Sequence, residues 1–215
     1  MKAKNKPKPR GRPRAFDMGA AVETAMKLFH GRGYDAVGVA ELSEALGINP
    51  PSLYAAFGSK IGLFRRALER YSVGPGNILA RARAGGGPVA EVVERMLRFA
   101  AQLYPRHDSV AGCLILDGAR NSADPEARAL GEAARAASLA ALRDFVATEY
   151  PAQARPLAEF IGIALAGMSA AARDGAGEAM LTRFAVSAGR AFREEAGAPG
   201  ARKARRGRPA KPRRS

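Results

Sequence analysis

Hydrophobic residues recur every three or four positions along most of the chain, a spacing that predicts an all-α fold. Met18, Val22 and Phe29 follow this spacing and predict a first helix that ends at the two glycines shortly after Phe29. Glycine and proline at residues 74–76 and 85–88 mark breaks between helices. Further along, the pattern predicts helices over residues 89–104, 111–121, 125–150, 155–173 and 178–195.

Next to the first helix, the pattern predicts two short helices joined by a tight turn. Val39, Leu42 and Leu46 are apolar at i, i+3 and i+7 and form one face of the first of them. Gly47 favours the left-handed backbone that ends a helix, and Asn49 is a good N-cap for the second. Such a pair is typical of a helix-turn-helix, a motif that binds DNA.

The second of these helices begins at Pro50 and has two different faces. Leu53 and Phe57 are four positions apart and can pack on the preceding helix. Ser59 is suited to cap the helix that follows, which would connect this motif to the rest of the chain. The residues left for a binding partner are Pro50, Pro51, Ser52, Tyr54 and Ala56.

Several short motifs in this region stand in the same register as in a known family. They are Leu28-Phe29, Gly33-Tyr34, Leu46-Gly47-Ile48, Leu53-Tyr54, Phe57 and Ser59-Lys60. Over about residues 16–68 they resemble the N-terminal domain of TetR-family transcriptional repressors, while the rest of the chain is similar only in length and helical character. The resemblance implies a three-helix DNA-binding domain over residues 15–71. It also implies a larger helical domain for ligand binding and dimerisation over residues 72–197.

The resemblance further implies which side chains meet DNA. The partner face of the second helix would lie on the major groove or its backbone, with Asn49 at its start and Lys60 just beyond its end. Tyr54 can hydrogen-bond a phosphate, and Lys60 adds positive charge at a helix start. Gly38 stands where many relatives have a hydroxyl residue, and Ala56 is smaller than the residue seen there in many members. Specificity is therefore expected to depend on methyl contacts, DNA shape and the N-terminal arm.

Positive charge is concentrated at the two ends of the chain, whose net charge is +15. Residues 1–14 and 198–215 hold seven and eight Lys or Arg without any acid, and we expect disordered arms there. Each arm contains Arg-Gly-Arg-Pro, which resembles the core of an AT-hook that enters the minor groove. A non-specific cationic surface is the alternative. The arginines expected to contact DNA are Arg10, Arg12, Arg14, Arg206 and Arg208.

A regulator of this type needs an effector site, and apolar residues of the C-terminal part are candidates for its lining. Each of them is equally well explained as ordinary core. The candidates are Met96, Phe99, Leu103, Tyr104, Cys113, Leu116, Phe145, Ile161 and Met168.

Cys113 is the only cysteine, which excludes an internal disulfide. Some TetR-like regulators carry a cysteine in a comparable Gly-Cys-Leu stretch and use it to sense electrophiles or oxidants. A position near the N-terminus of the helix predicted over residues 111–121 would favour its thiolate. The alternative is a small buried hydrophobic residue.

Small residues are frequent in the last two predicted helices, where they let helix axes approach closely. In the family, the two C-terminal helices of each subunit join a four-helix bundle, so the resemblance implies a homodimer with two DNA-binding domains. An Ala-rich core within one chain is the alternative. The residues expected at the dimer interface are Phe160, Ile161, Leu165, Met168, Leu181, Phe184 and Ala188.

Other classes of protein fit the sequence poorly. A phosphate-binding glycine loop and paired metal ligands are absent, so neither an enzyme nor a cofactor is expected. The longest uncharged run, residues 160–172, is shorter than the ~20 residues that cross a bilayer. With no recognisable signal peptide, we expect a cytoplasmic protein that joins the nucleoid when bound to DNA. The expected function is a repressor that binds a pseudo-palindromic operator and is released by a small molecule or electrophile. The alternative is a sequence-tolerant architectural DNA-binding protein.

Overall fold

The computed structural model describes residues 16–105 and 110–197, and these ranges contain helices and connections but no β-strand. The predicted all-α fold is confirmed. The helices are α1 (Met18–Arg32), α2 (Val39–Leu46), α3 (Pro50–Phe57), α4 (Lys60–Val73), α5 (Ile78–Arg83), α6 (Val89–Leu103), α7 (Leu114–Asp117), α8 (Pro125–Ala147), α9 (Ala154–Arg173) and α10 (Glu178–Ala196), with a short 3-10 helix at Pro151–Gln153.

Short polar side chains begin several helices by accepting hydrogen bonds from first-turn N–H groups. Those at the starts of α1, α3, α4, α5 and α8 are Asp17, Asn49, Ser59, Asn77 and Asp124. Helix α6 begins after a proline and has no capping side chain of its own. Its first N–H, on Val89, donates instead to the Glu149 carboxylate at 3.0 Å. The start of α6 is therefore held by the chain that follows α8.

Most helix ends lie within three residues of the predicted ones, but two segments differ. The helix predicted over residues 111–121 is wrong in extent, because only the four residues of α7 are helical there. Gly112 has a φ of 81°, which interrupts the helix on its N-terminal side. Helix α5 was not predicted, because six residues are too few to show a helical period.

The head of the molecule (α1, α2 and α3) has an aromatic core. The rings of Phe29 and Phe64 lie edge to face with centroids 5.1 Å apart, and the ring of Tyr34 packs on both. Leu42 of α2 and Leu53 of α3 are fully buried in the same cluster. Because Phe64 belongs to α4, the head is built onto the first turns of that helix.

The body of the molecule (α5 to α10) is a helical bundle. Helix α10 packs along α6, and α9 packs on both α8 and α10. Met96, Leu97, Ile161, Met168 and Phe192 are fully buried in its core. Across residues 16–105 and 110–197, no helix is long and apolar enough to cross a membrane.

The head is attached to the body through the turn that follows α7. The Tyr34 N–H donates to the Gly118 carbonyl at 2.8 Å, and the Tyr34 hydroxyl donates to Asp124 at 3.0 Å. The Asp35 carboxylate accepts from the Ala123 N–H at 2.7 Å. The loop between α1 and α2 is therefore fixed to the body by both backbone and side-chain hydrogen bonds.

Candidate nucleic-acid interface

The turn between α2 and α3 has the conformation that the sequence predicts. Gly47 is left-handed, with φ 65° and ψ 31°, and its N–H donates to backbone carbonyls in the last turn of α2. Leu53 and Phe57 are buried, because α3 packs against both α2 and α4. Helix α3 is therefore held as the second helix of a helix-turn-helix, with its opposite face in solvent.

The solvent face of α3 carries Pro50, Pro51, Ser52 and Tyr54, all of them exposed. Tyr54 is 48% exposed despite its large ring. The Asn49 side-chain oxygen accepts from the Ser52 N–H at 2.8 Å, so this oxygen caps the helix, and the amide nitrogen takes no part in the cap. A molecule that reaches this face would meet two proline rings, a hydroxyl and a phenol.

Ala56 is less exposed than these four residues. It is half-buried and packs against the core, whereas Ala55 is exposed. The reason is the helical period, since position 56 follows the buried Leu53 by three residues and position 55 follows Ser52 by three. The expected contact of Ala56 with a partner stays a prediction, and the same spacing identifies Ala55 as the more exposed neighbour.

Lys60 lies between the head and the body. Its ammonium nitrogen is 4.0 Å from the centroid of the Tyr34 ring, a cation–π contact. Partial burial lowers the pKa of Lys60, although the carboxylates of Asp35 and Asp124 act in the opposite direction. The phosphate contact expected of Lys60 stays a prediction, and the ammonium that would make it already has partners within the chain.

The start of α2 is open to solvent. Its N-cap is Gly38, which supplies no capping side chain, and a Cβ atom added there would meet nothing within 4 Å. The first-turn N–H groups therefore lack a side-chain acceptor and point toward a region where a phosphate could bind.

The chain enters the head beside α3. The ring of Phe16, the first described residue, lies edge to face on Phe57 with centroids 6.1 Å apart. The expected DNA contacts of the two arms, at Arg10, Arg12, Arg14, Arg206 and Arg208, lie outside the described residues.

A cavity of about 530 Å³ lies in the body between α4, α5, α6, α8 and the segment that contains α7. Its wall is mainly apolar, with Leu68, Ile78, Leu130 and Leu142 among the lining residues. Four of the predicted effector residues, Met96, Tyr104, Cys113 and Leu116, line it.

The remaining predicted effector residues, Phe99, Leu103, Phe145, Ile161 and Met168, do not line this cavity. Ile161 and Met168 are fully buried in the core of the body. The half-buried rings of Phe99 and Phe145 are each covered by an arginine guanidinium at about 5 Å. The apolar character of these residues did not show which of them line the cavity, which lie in the core and which lie under an arginine at the surface.

The polar groups at the cavity are few and balanced in charge. Arg65 and Glu69 are the two charged lining residues, and Arg65 also pairs with Glu126 at 3.3 Å. Asn77 also lines the cavity, and its side-chain oxygen accepts from the Ala80 N–H at 3.1 Å, so the amide nitrogen takes no part in that cap. The wall therefore has no excess charge.

Cys113 lies in the cavity wall but is only 6% exposed. Burial raises the pKa of its thiol, and hydrogen bonds with the backbone N–H groups of α7 offset this only in part. The expectation that a helix N-terminus favours the thiolate is therefore wrong, because burial of the thiol outweighs the hydrogen bonds from α7, which has only four residues. A role for Cys113 in sensing stays a prediction.

The residues expected at a dimer interface mostly face inward. Ile161, Met168, Leu181 and Ala188 are buried in the core of the chain, Leu165 lines the cavity, and Phe160 is half-buried. Phe184 is the member of this set that is exposed, at 46%. The structure exposes Ile163 of α9 and Met180 of α10 as well, at 74% and 55%. Large apolar residues occur on both the inner and the outer faces of α9 and α10, so composition did not separate them.

Together, a helix-turn-helix with an exposed second helix and a separate helical body are the features of a DNA-binding transcription regulator. A model of the tetR family of bacterial regulatory proteins matches residues 21–67. The chain belongs to the TetR family, since its similarity to curated members extends over most of its length.

Two curated relatives come from Escherichia coli (strain K12). The HTH-type transcriptional repressor BdcR is 40% identical over 183 residues, covering 85% of this chain and 92% of BdcR. The HTH-type transcriptional repressor ComR is 34% identical over 192 residues, covering 83% of this chain and 90% of ComR. Both relatives are transcriptional repressors.

A solved structure of the TetR-family regulator CifR, a cysteine mutant complexed with 26 bp double-strand operator DNA, has the same fold. Its TM-score is 0.76 at 34% identity, and the alignment covers 85% of this chain and all of the CifR chain.

Proposed function

We propose that the protein is a transcriptional repressor that binds a pseudo-palindromic operator as a homodimer. The observation that carries this proposal is the exposed face of α3, where Pro51, Ser52 and Tyr54 project from a helix fixed in a helix-turn-helix. A phenol can bond a phosphate, a hydroxyl can reach a base edge or phosphate, and a proline ring can touch a thymine methyl. Two relatives are named as repressors, which supports repression over activation of transcription.

The homodimer is supported by the exposed apolar residues of α9 and α10. Ile163, Met180 and Phe184 present large side chains to solvent, and the outer side of Gly167 has no atom within 4 Å of an added Cβ. Single exposed hydrophobic residues are common, but a cluster on two adjacent helices is typical of an interface. A second copy packed on this face would complete a four-helix bundle and place two heads on successive major grooves.

We further propose that a small molecule in the cavity releases the operator. The volume of about 530 Å³ is within the range of small-molecule sites. An apolar wall without excess charge favours an uncharged ligand. Such a ligand regulates only if it binds the DNA-bound and free conformations with different affinity.

The proposal is tested by selecting binding sites from a random duplex library at physiological salt. The full-length chain and a chain without the arms, residues 15–200, are used in parallel. Recovery of an inverted repeat by both proteins is the expected result. If only the full-length chain binds, and its sites share no motif, the protein is an architectural DNA-binding protein that acts through its basic arms.

Two variants of one residue separate the contributions of its hydroxyl and its ring to affinity for the recovered site. Tyr54→Phe removes the hydroxyl and keeps the ring, whereas Tyr54→Ala removes both. We expect losses of affinity of about fivefold and about fiftyfold, since a hydrogen bond to phosphate contributes about 1 kcal/mol and ring packing adds to it. Equal affinity of all three proteins would contradict a role for α3 in binding.

A further inference from the structure

The last described helix, α10, runs away from the head. It begins five residues after Arg173, the last residue of α9, and Arg173 donates to the His30 carbonyl of α1 at 3.2 Å. The first turn of α10 therefore lies on the side of the head. In the last turns of α10, Arg193 pairs with Glu94 of α6, and Gly189 lies against the same glutamate.

Helix α6 shows where these last turns lie. At its C-terminal end, the Tyr104 carbonyl accepts from the Gly112 N–H at 2.8 Å, and the Gly112 carbonyl lies 3.0 Å from the His30 Nε2 of the head. At its N-terminal end, the Val89 N–H donates to Glu149, which follows α8. The contacts of α10 are with the N-terminal half of α6, so α10 ends at the side of the body opposite the head.

The chain leaves the body on that opposite side. The Phe192 ring lies edge to face on the Tyr150 ring, with centroids 6.2 Å apart. We call the region around Val89, Tyr150 and Phe192 the far end of the body. Gly197, the last described residue, follows α10 there. A helix of 19 residues is about 28 Å long, which sets the distance between the far end and the side of the head.

The reach of the C-terminal arm has an upper limit that holds for any conformation. Its Arg-Gly-Arg-Pro motif is centred on Gly207, ten residues beyond Gly197, and ten residues span at most about 36 Å. To meet the duplex on α3, the motif would have to pass the length of α10 and at least one more helix diameter, about 38 Å in all. This path would also have to go around the protein. The motif therefore cannot reach the minor groove of the duplex that α3 contacts.

The N-terminal arm carries the same four residues in a different place. Residues 10–13 precede Phe16, whose ring packs on Phe57 of α3 with centroids 6.1 Å apart. This copy is therefore close in sequence to the DNA-binding face. The identical motif in the other arm indicates the same class of ligand, because arginine side chains beside a glycine suit the narrow minor groove of A·T-rich DNA. Eight Lys or Arg without an acid in residues 198–215 add attraction to phosphates.

We propose that the C-terminal arm is a second DNA-binding site, which binds the minor groove of an A·T-rich duplex other than the duplex on α3. The protein then bridges two DNA segments, with the head on one and the C-terminal arm on the other. A homodimer with both heads on one duplex carries two such arms on its opposite side. The inference goes beyond the proposed function, since repression at a single operator does not require a second duplex.

The experiment measures capture of a second duplex by protein that already holds the first. Operator duplex is fixed to beads and loaded with the full-length chain at physiological salt, and unbound protein is removed. Three labelled probes are then offered separately: an A·T-rich duplex without the operator, a G·C-rich duplex of equal length, and vesicles of phosphatidylcholine and phosphatidylserine in equal parts. We expect the A·T-rich duplex to be retained at least about threefold better than the G·C-rich one.

Two pairs of substitutions in the C-terminal arm separate the motif from its charge. Arg206→Ala with Arg208→Ala removes two charges from the motif, and we expect capture of the A·T-rich duplex to fall about tenfold. Arg213→Ala with Arg214→Ala is the matched control, because it removes the same charge from the same arm and leaves the motif intact. It should lower capture by about twofold or less.

The limit on reach is tested by the affinity for the operator alone, measured by fluorescence anisotropy. The variant of Arg206 and Arg208 should bind the operator as the natural chain does, within about twofold. A variant with Arg10→Ala and Arg12→Ala should bind the operator more weakly, yet capture as much second duplex per retained molecule as the natural chain.

Several results would overturn the inference. They are capture of neither duplex, with or without capture of vesicles; equal capture of the two duplexes; equal losses in the two C-terminal variants; and a loss of operator affinity when the C-terminal motif is changed. If the selection recovers no operator, the proposed function fails on its own. Energy transfer between two differently labelled A·T-rich duplexes, mixed with the full-length chain, then tests bridging without an operator, and its absence would overturn the second site.

Discussion

Replacing Gly62 by alanine should destabilise the head, although helix propensity alone predicts the opposite. Gly62 lies in the first turn of α4, and its N–H donates to the capping Ser59 hydroxyl at 3.1 Å. A Cβ atom added to Gly62 would lie much less than 3.0 Å from the Phe57 carbonyl oxygen. Real Cβ atoms essentially never come that close to another atom. The obstacle is the backbone at the end of α3, so no side-chain rotation can relieve it.

The expected magnitude follows from two opposing contributions. Alanine favours a helix interior over glycine by about 1 kcal/mol. Ordinary contact begins near 3.4 Å, so α3 and α4 would have to separate by roughly an ångström, and overpacking of this kind costs about 2–3 kcal/mol. The net loss of unfolding free energy is about 1–2 kcal/mol, which lowers the melting temperature by about 2–8 °C in a chain of this size. A displaced α3 should also weaken operator binding about tenfold or more.

Urea unfolding followed by circular dichroism, and fluorescence anisotropy with labelled operator, measure the two effects. Gly131→Ala in α8 is the matched control. An added Cβ there meets only Arg135 at 3.2 Å and Ala119 at 3.5 Å, so the close neighbour is the far end of a flexible side chain and not backbone. This variant should be more stable than the natural chain by up to about 1 kcal/mol. If Gly62→Ala is stabilised to the same degree, the close approach of α3 and α4 does not exist as described.

Three further predictions concern a helix cap, pH and assembly. Asn49→Ala should lower the unfolding free energy by about 1 kcal/mol, and Asn49→Ser should restore most of it, as urea titration will show. Burial lowers the pKa of His30 below 6.5, so the unfolded chain takes up the proton first. The unfolding free energy should therefore fall as pH drops from 7 through 6.5 toward the folded-state pKa, and His30→Phe should flatten this part of the profile. Phe184→Glu should give a folded monomer in sedimentation velocity. Val186→Glu, equally exposed but on the side of α10 where Arg193 pairs with Glu94 of α6, should remain a dimer.

The fold could be read from the sequence wherever local chemistry and helical period agree. Gly47 and Asn49 determine how α2 ends and α3 begins through their own backbone and side-chain preferences, so this turn was predictable. The segment around α7 was not, because its conformation depends on bonds to α1 and α9 that are distant in sequence. Ser169 lies 52 residues from Asp117 along the chain, and no local sequence pattern predicts their contact.

Only part of the candidate site could be predicted, because here too the outcome depends on contacts between distant parts of the chain. Hydrophobic spacing shows that α9 and α10 each have an apolar face, but it does not show whether that face meets the chain's own core or another subunit. Leu181 and Phe184 are three positions apart in a helix, yet one is 2% exposed and the other 46%. Which neighbour covers a face is a property of the assembled bundle, not of the helix alone.

The position of Lys60 over Tyr34 affects how salt titrations of this protein should be interpreted. Each phosphate contact normally adds to the slope of log affinity against log salt, because cations are released from DNA while a solvated lysine takes their place. Lys60 is already attracted to a ring and two carboxylates of its own chain. If it turns to a phosphate, Asp35 and Asp124 lose that attraction and recruit cations from solution. Ion uptake by the protein then offsets ion release by the DNA, and the slope undercounts the phosphates that are bound.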